Sequence, residues 1–321
     1  MRGACLLAAL AAIAPSAQAA EHFPSKPVRM IVGYPPGGAT DLVARAIQQR
    51  MSAALGQQVV VDNRPGASAL IAGELTYRAQ PDGHTVLLGD FGMIIVAPVI
   101  RPVPFDPVKD LTPVGQAVSL QNIIITHPGV PAKTLKELLA LAKAKPGGLN
   151  YATSGVGGPG HLAAVLLESM AGVQLTHIPY KGGGPAITDL LAGHVPVFFA
   201  VISTAVPHVQ SGKARGIAVT GTRRADAIAE VPTIAEAGVP GYAATNWYGV
   251  HAPPKTPAAF VKRLNEALTA ALQAPDVAET LKSRGIDAAP SAPAAYAAYM
   301  AAESAKWSKV IRQSGIKADG G

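Results

Sequence analysis

Short apolar runs alternate with amphipathic stretches along most of this chain. Val28–Tyr34 is apolar apart from Arg29 and stops at Pro35-Pro36, which predicts a buried strand. Gly37-Gly38 follows, where the backbone can take conformations closed to residues with a Cβ. Leu42, Val43, Ala46, Ile47 and Met51 then recur at helical spacing, with Thr40 or Asp41 as the expected cap. Strand Gln58–Asp62, helix Ser68–Arg78 and strand Thr85–Gly89 continue the alternation, the pattern of a parallel sheet with crossovers. Strand Asn122–Thr126 opens a second series. It runs through helix Thr134–Lys145, strand Leu149–Thr153, helix His161–Met170, strand Gln174–Tyr180, helix Pro185–Leu191, and strands Val195–Val201 and Ala214–Thr220. Past the Gly238–Gly241 break come strand Ala243–Val250 and then helices alone: Pro257–Gln273, Asp276–Ser283 and Pro293–Ser314.

A tail without strands fits best as an outer layer returning to the first series. The chain would then cross between two lobes near Gln121 and again near Trp247. Two crossings make a hinge, with a cleft between the lobes where small ligands bind. The expected fold is α/β, two-lobed, with parallel-type sheets flanked by helices. Residues 20–121 and 248–321 form lobe 1, and 122–247 form lobe 2.

The first residues have the form of an export leader. Arg2 precedes an apolar core, Leu6–Ile13, and Ala17-Gln18-Ala19 is a small-residue cleavage site, so removal is expected after Ala19, in 1–19. The single cysteine, Cys5, lies inside that leader, which leaves no disulfide framework. No later apolar run is long enough to cross a bilayer. The formal charge of +7 is scattered, without a basic run or stacking aromatics, so nucleic acid is not an expected partner. A mild positive field suits a small anion.

Two glycine-rich loops carry the candidate chemistry. Each follows a strand and opens a helix, where unpaired N–H groups and the helix dipole favour an anion. The first holds Tyr34, Gly38, Ala39, Thr40 and Asp41. The second runs Thr153-Ser154-Gly155-Val156-Gly157-Gly158-Pro159-Gly160-His161, where the two hydroxyls add donors for a carboxylate. Asp41 beside an anion would be repulsive unless it turns into the helix start, so it is expected to hold the loop's shape. His161 at a helix start reads as a cap, a ligand contact or a packed polar residue. A third loop, Pro179–Gly184, is either a flexible connection or part of the cleft rim. Asp90 ends a first-lobe strand and could place a charge at the cleft. The close His, Cys and carboxylate spacings of a metal site do not occur. Gly155, Gly157 and Gly160 also match a dinucleotide fingerprint. The acid that should hold the ribose, about 20 residues on, is missing, so an exported dinucleotide-dependent enzyme is the weaker alternative.

Tyr34–Asp41, Val61–Ala67, Pro81–Gly83, Phe105–Pro107, Lys109-Asp110, Ala144–Gly147, Ser154–Gly157, Pro179–Gly182, Val231–Gly238 and Trp307 together resemble the Bug receptors, the periplasmic solute receptors of tripartite tricarboxylate transporters. The resemblance runs in order along nearly the whole chain. It implies a periplasmic-binding-protein fold, type II like, that closes on a small carboxylate without catalysis or cofactor. It implies that Gly38–Asp41 and Thr153–Gly158 grip the carboxylate through main-chain N–H groups. It also implies delivery to large and small membrane subunits or to a sensor. Two departures stand out. Relatives have acids near positions 196 and 200, where this chain has Pro196 and Ala200. The segment after Gly66-Ala67 lacks the usual second glycine pair. If the face of Pro196, Phe198 and Ala200 meets the cleft, the ligand is expected to carry a neutral or apolar remainder.

Overall fold

The computed structural model describes residues 23–316. The expected leader and its cleavage site therefore lie outside the described residues. Strand β1 (Val28–Val32) is buried along its apolar positions and pairs in parallel with β2 (Val59–Asn63) and β3 (Thr85–Asp90). The helices between them are α1 (Ala39–Leu55) and α2 (Leu70–Tyr77). A π turn at Gly92–Val96 then runs into the short helix α3 (Ala97–Ile100).

One strand joins the two halves. β4 (Thr112–Thr126) is 15 residues long. From Thr112 to Gln121 it pairs antiparallel with β9 (Thr245–Ala252), which in turn pairs antiparallel with β3. From Asn122 to Thr126 it pairs antiparallel with β7 (Val197–Val201) on one side and β8 (Arg215–Val219) on the other. β7 leads in parallel to β5 (Asn150–Thr153), and β5 to β6 (Thr176–Pro179). The helices of this second half are α4 (Leu135–Ala144), α5 (Pro159–Ala171), α6 (Gly183–Leu191) and α7 (Ile202–Gln210). The expected strand Asn122–Thr126 is thus the far end of a longer strand. Its near end escaped the sequence pattern because Pro113 and Gly115 interrupt the apolar run there.

Polar side chains are buried where β4 changes sheet. Gln121 Oε1 accepts the Gly221 N–H at 3.0 Å and its amide donates to the Arg223 carbonyl at 3.0 Å. The Asn122 N–H donates to Thr220 Oγ1 at 2.9 Å, and the Thr220 hydroxyl donates to the Ala244 carbonyl at 2.7 Å. A Cβ at residue 221 would sit 2.3 Å from Gln121 Oε1, so Gly221 permits this junction. Because buried polar groups without partners cost free energy, these bonds fix where the chain leaves one sheet for the other.

The tail does return to the first half. Helices α8 (Ala258–Gln273) and α9 (Pro275–Lys282) pack with α1 through Leu264, Leu268, Leu272, Val277 and Leu281. Helix α10 (Pro293–Ser314) covers the opposite face with Tyr296, Met300 and Trp307. The tail is not strand-free, however. β10 (Ile286–Ala288) pairs antiparallel with Val118–Leu120 of β4. Three residues are too few to leave a period in the sequence. Helix α7 was also missed, because Pro207 inside it reads as a breaker.

Candidate functional site

The two glycine-rich loops share one construction. In α1 the N-cap is Gly38, with an extended backbone and no side-chain cap; Thr40 and Asp41 lie inside the first turn, so neither is the cap residue expected from sequence. Asp41 Oδ2 instead reaches back to accept the Gly37 N–H at 2.9 Å, across a glycine at φ +88°. The same carboxylate takes Arg45 Nε at 2.9 Å and Asn63 Nδ2 at 3.0 Å. Burial pushes the Asp41 carboxyl up, but the bonds from Arg45, Gly37 and Asn63 outweigh that and hold it below the usual range. Asp41 is an internal strut of the first loop. Thr40 is buried too, with its hydroxyl against Tyr248.

In α5 the N-cap is Gly158, again extended and without a side-chain cap. His161 Nδ1 accepts the Gly157 N–H at 3.0 Å, across a glycine at φ +71°. The His161 ring stacks on His177, with centroids 3.9 Å apart. His177 Nε2 lies 2.6 Å from Thr153 Oγ1, which also accepts the Gly155 N–H at 3.2 Å. Burial pushes His177 down to about 4, so the His177 ring is neutral at ordinary pH. The Gly158 N–H is turned to the Gly155 carbonyl at 3.3 Å. Thr153, Gly157, Gly158 and His161 therefore bind the loop together. The Thr153 hydroxyl and the loop N–H groups were expected to donate outward, whereas Thr153 and the N–H groups of Gly157 and Gly158 are engaged within the loop; His161 takes the cap-like and packed roles among its three readings.

A cleft of about 190 Å³ lies between the halves. One wall is Tyr34, Ser68, Gly92, Val96, Ala97 and Ile100; the other is the unbroken run from Ser154 to Pro159. Gly38–Asp41 do not line it, and the first loop contributes Tyr34 alone. The second loop sits close to the opposite wall: a Cβ on Gly157 would meet Ile100 Cδ1 at 3.0 Å and Val96 Cγ1 at 3.4 Å. Among the described residues, the Ser154 hydroxyl and the N–H groups of Ser154 and Val156 have no hydrogen-bond partner. No cationic side chain lines the cleft. A larger groove of about 420 Å³, lined by Thr112, Val261, Asn265 and Ala297, touches neither loop.

Asp90 lies behind the lining. It receives the Tyr34 hydroxyl on Oδ2 at 2.5 Å and the Met93 N–H on Oδ1 at 2.8 Å. Burial raises its carboxyl above the ordinary range, only partly offset by these two bonds. Asp90 thus orients Tyr34 and does not itself line the cleft.

The residues missed from sequence are Ser68, Gly92, Val96, Ala97 and Ile100. The apolar run Met93–Ile100 was the available signal for the last three, since a short run of this kind marks buried structure even without a clear period. Ser68 gave no signal. It sits in Ala67-Ser68-Ala69, whose φ values are +48°, +55° and +68°. That left-handed segment packs so near β1 that a Cβ at Gly33 would fall 2.2 Å from the Ala69 Cβ.

The face of Pro196 and Ala200 does not meet the cleft, contrary to the condition on which an apolar second-lobe wall was expected. Phe198 and Ala200 face a core with Ile123, Ile125, Leu190 and Ile202, beneath α6 and α7, and neither lines the cleft. The third loop is a brace: the Gly182 N–H donates to the Ser154 carbonyl at 3.0 Å. Gly160 of the dinucleotide fingerprint has a packing cause, because a Cβ there would lie 2.3 Å from the Phe199 carbonyl oxygen. Among the described residues, no cluster of three or more His, Cys, Asp or Glu side chains could hold a metal.

Comparison with known proteins adds a family. The model of the tripartite tricarboxylate transporter family receptor matches residues 43–316. A UPF0065 protein from the tcbD-tcbE intergenic region of Pseudomonas sp. (strain P51) is 38% identical over 304 residues, 94% of this chain and 90% of that protein. Protein BugT of Bordetella pertussis is 33% identical over 300 residues, covering 93% and 92%. Among solved structures, R. palustris Rpa4515 with adipate superposes with a TM-score of 0.85 at 34% identity, covering 92% of this chain and 100% of that one. MatC from Rhodopseudomonas palustris with bound malate gives 0.80 at 32%, covering 90% and 100%. The periplasmic binding protein BugD gives 0.81 at 32%, covering 92% and 100%. The two-lobed α/β architecture is that of the periplasmic binding proteins.

Proposed function

Because the chain belongs to the tripartite tricarboxylate transporter receptor family, we propose that it captures a small carboxylate in the cleft between Tyr34 and the Ser154–Pro159 loop and presents it for uptake or sensing. The observation that carries this reading is the second loop. It offers the Ser154 hydroxyl and two N–H groups without partners at the start of α5, on a wall free of negative charge. Such a set suits an oxyanion. The facing wall of Val96, Ala97 and Ile100 suits an apolar remainder, so an aliphatic or aromatic acid is preferred to a zwitterion. The volume equals that of roughly six waters at ~30 Å³ each, which fits a small acid. The relatives with adipate and malate bound are consistent with this class.

In this reading lobe 1 comprises residues 20–121 and 248–321 and lobe 2 comprises 122–247, closing about the Gln121 junction. The protein works in the periplasm after loss of residues 1–19, performs no catalysis, and hands its ligand to membrane subunits or a sensor. The dinucleotide alternative gains no support: the acid that should hold the ribose is missing, and the helix–strand packing at Gly160 is common to both readings. A thermal-shift screen of carboxylic acids tests the proposal. A ligand at ~100 times its dissociation constant should add about 2.7 kcal/mol of stability. Silence across aliphatic, hydroxy and aromatic acids, with a shift from NAD or NADP, would overturn it. Intact mass of the exported protein tests cleavage after Ala19.

A further inference from the structure

We propose that the cleft takes up its carboxylate together with a proton, and that Asp90 accepts this proton by reversing its hydrogen bond with Tyr34. The inference rests on the carboxylate reading above and deepens it.

Asp90 ends β3 with its side chain 7% exposed. Its two oxygens are held by the Tyr34 hydroxyl and the Met93 N–H. The titratable groups facing it are Tyr34 after β1, Tyr248 on the paired strand β9 and Tyr296 on α10. All three are phenols that burial holds protonated. No Lys, Arg or His forms an ion pair with Asp90 among the described residues. Two residues in contact with its carboxyl, Tyr34 and Gly92, also line the cleft; a Cβ on Gly92 would lie 3.5 Å from Asp90 Oδ1.

This placement sets the polarity of the Tyr34 hydroxyl. With Asp90 ionised, the Tyr34 O–H donates inward, and only oxygen lone pairs remain to face the cleft. A bound carboxylate would then meet lone pairs and, one phenol away, a second negative charge with no cation between. Like charges so close drive one of the two groups to bind a proton. With a proton from solvent on Oδ2, Asp90 donates to the Tyr34 oxygen. The Tyr34 proton becomes available to the ligand carboxylate. One anion and one proton enter together, and the net charge of the site does not change. Burial has already moved Asp90 towards the protonated form.

Isothermal calorimetry in buffers of different ionisation enthalpy tests this, with benzoate, hexanoate, adipate and malate as probes. The expected result is uptake of close to one proton per ligand bound. The dissociation constant should rise up to about tenfold per pH unit on the limb where Asp90 starts ionised. Asp90→Asn should take up almost none, vary less than about twofold per pH unit, and bind more tightly than wild type at the alkaline end. Tyr34→Phe should lose both affinity and proton uptake, and it carries the test alone if Asp90→Asn does not fold. Binding without proton uptake overturns the proposal and leaves the receptor reading intact. So does uptake that persists in Asp90→Asn, which would point to His161 and His177. Failure of all four acids to bind at millimolar concentration overturns both.

Discussion

The two glycine-rich loops are built alike and face different tasks. In each, a glycine with positive φ precedes a glycine N-cap, and the third residue of the helix reaches back to the first glycine's N–H. The first loop uses Asp41, an anion fixed by Arg45 and Asn63. The second uses His161, a ring stacked on a neutral His177. A fixed carboxylate at a helix start already occupies the positive end of the dipole and repels a second anion. An imidazole carries no negative charge and closes the same turn without that repulsion. The loop whose glycine run lines the cleft is the one closed by the imidazole. Identical backbone motifs therefore need not make identical sites: the side chain that closes the turn at the third helical position is a carboxylate in one and an imidazole in the other.

The comparison breaks most sharply at glycine. Gly157→Val places a branched Cβ at φ +71° and against Ile100 and Val96, so it should lower carboxylate affinity at least ~100-fold, about 2.7 kcal/mol. Gly38→Val meets nothing nearer than the Pro35 carbonyl at 3.7 Å, and its backbone is extended, so affinity should change less than about tenfold. Calorimetry on the two variants decides the matter. An equal loss in both would mean that the first loop holds the ligand as well.

Asp41→Ala and His161→Ala should separate stability from binding. Removing Asp41 strands the Gly37 N–H and the Asn63 amide, while the exposed Arg45 returns to water, and hydrogen bonds to a charged group are worth about 1.5–3 kcal/mol each. Its urea midpoint should fall while the folded protein keeps its affinity. His161→Ala frees the Gly157 N–H inside the loop that forms the cleft wall, so affinity should fall together with stability. The reverse pattern would assign the anion to the first loop.

The strand–glycine–helix order of both loops was legible in the sequence, because apolar runs and Gly-Gly pairs are local signals. Two separate series of strands were legible too, and β4 passes from one sheet to the other at Gln121–Asn122. What could not be read was which polar groups face inward. Thr153 looked like a donor to a ligand and His161 had three open readings, and only the fold brings His177, 24 residues from Thr153, close enough to engage both. Ile100 and Ser68 were hidden for a similar reason. Their place on the wall depends on how the π turn and a left-handed segment pack across sequence distance. The face of Ala200 was misassigned because strand alternation separates two faces without saying which meets the cleft.

Acid should unlatch the second loop before the first. His177 is pushed down to about 4 in the folded protein and returns to about 6.5 when unfolded, so the unfolded state takes up the proton first. Its contribution is present above pH ~6.5 and is lost as the pH falls towards 4, at up to about 1.4 kcal/mol per unit. Asp41 is depressed below 3.8, so the first loop's contribution stays complete down to about 3.8 and is lost only as the pH falls from there through the lower folded value. His251, pushed down to about 3, acts in the same sense as His177. The measurement is therefore the difference in urea midpoint between wild type and His177→Gln across pH 7 to 4. Parallel curves would show that His177 is not the buried neutral ring described.

The smallest effect is expected in the remaining part of the opposite wall. Both loops use glycine wherever φ is positive, whereas Ala67-Ser68-Ala69 carries Cβ atoms through three left-handed residues. A left-handed L-residue costs roughly 1–2 kcal/mol relative to a right-handed one. Glycine removes that cost but adds about 0.5–1 kcal/mol of backbone entropy in the unfolded chain. Ser68 is exposed, so little packing is lost on its replacement. Ser68→Gly should therefore stabilise the protein by no more than ~1 kcal/mol. Ala69 is a different case: it is 4% exposed and packed against β1, so its methyl group offsets the gain and Ala69→Gly should be near neutral. Denaturant titration of the two variants reads the difference directly. A clear loss of stability in Ser68→Gly would mean that the serine side chain, rather than the neighbouring contacts with Gly33, holds the left-handed segment in place.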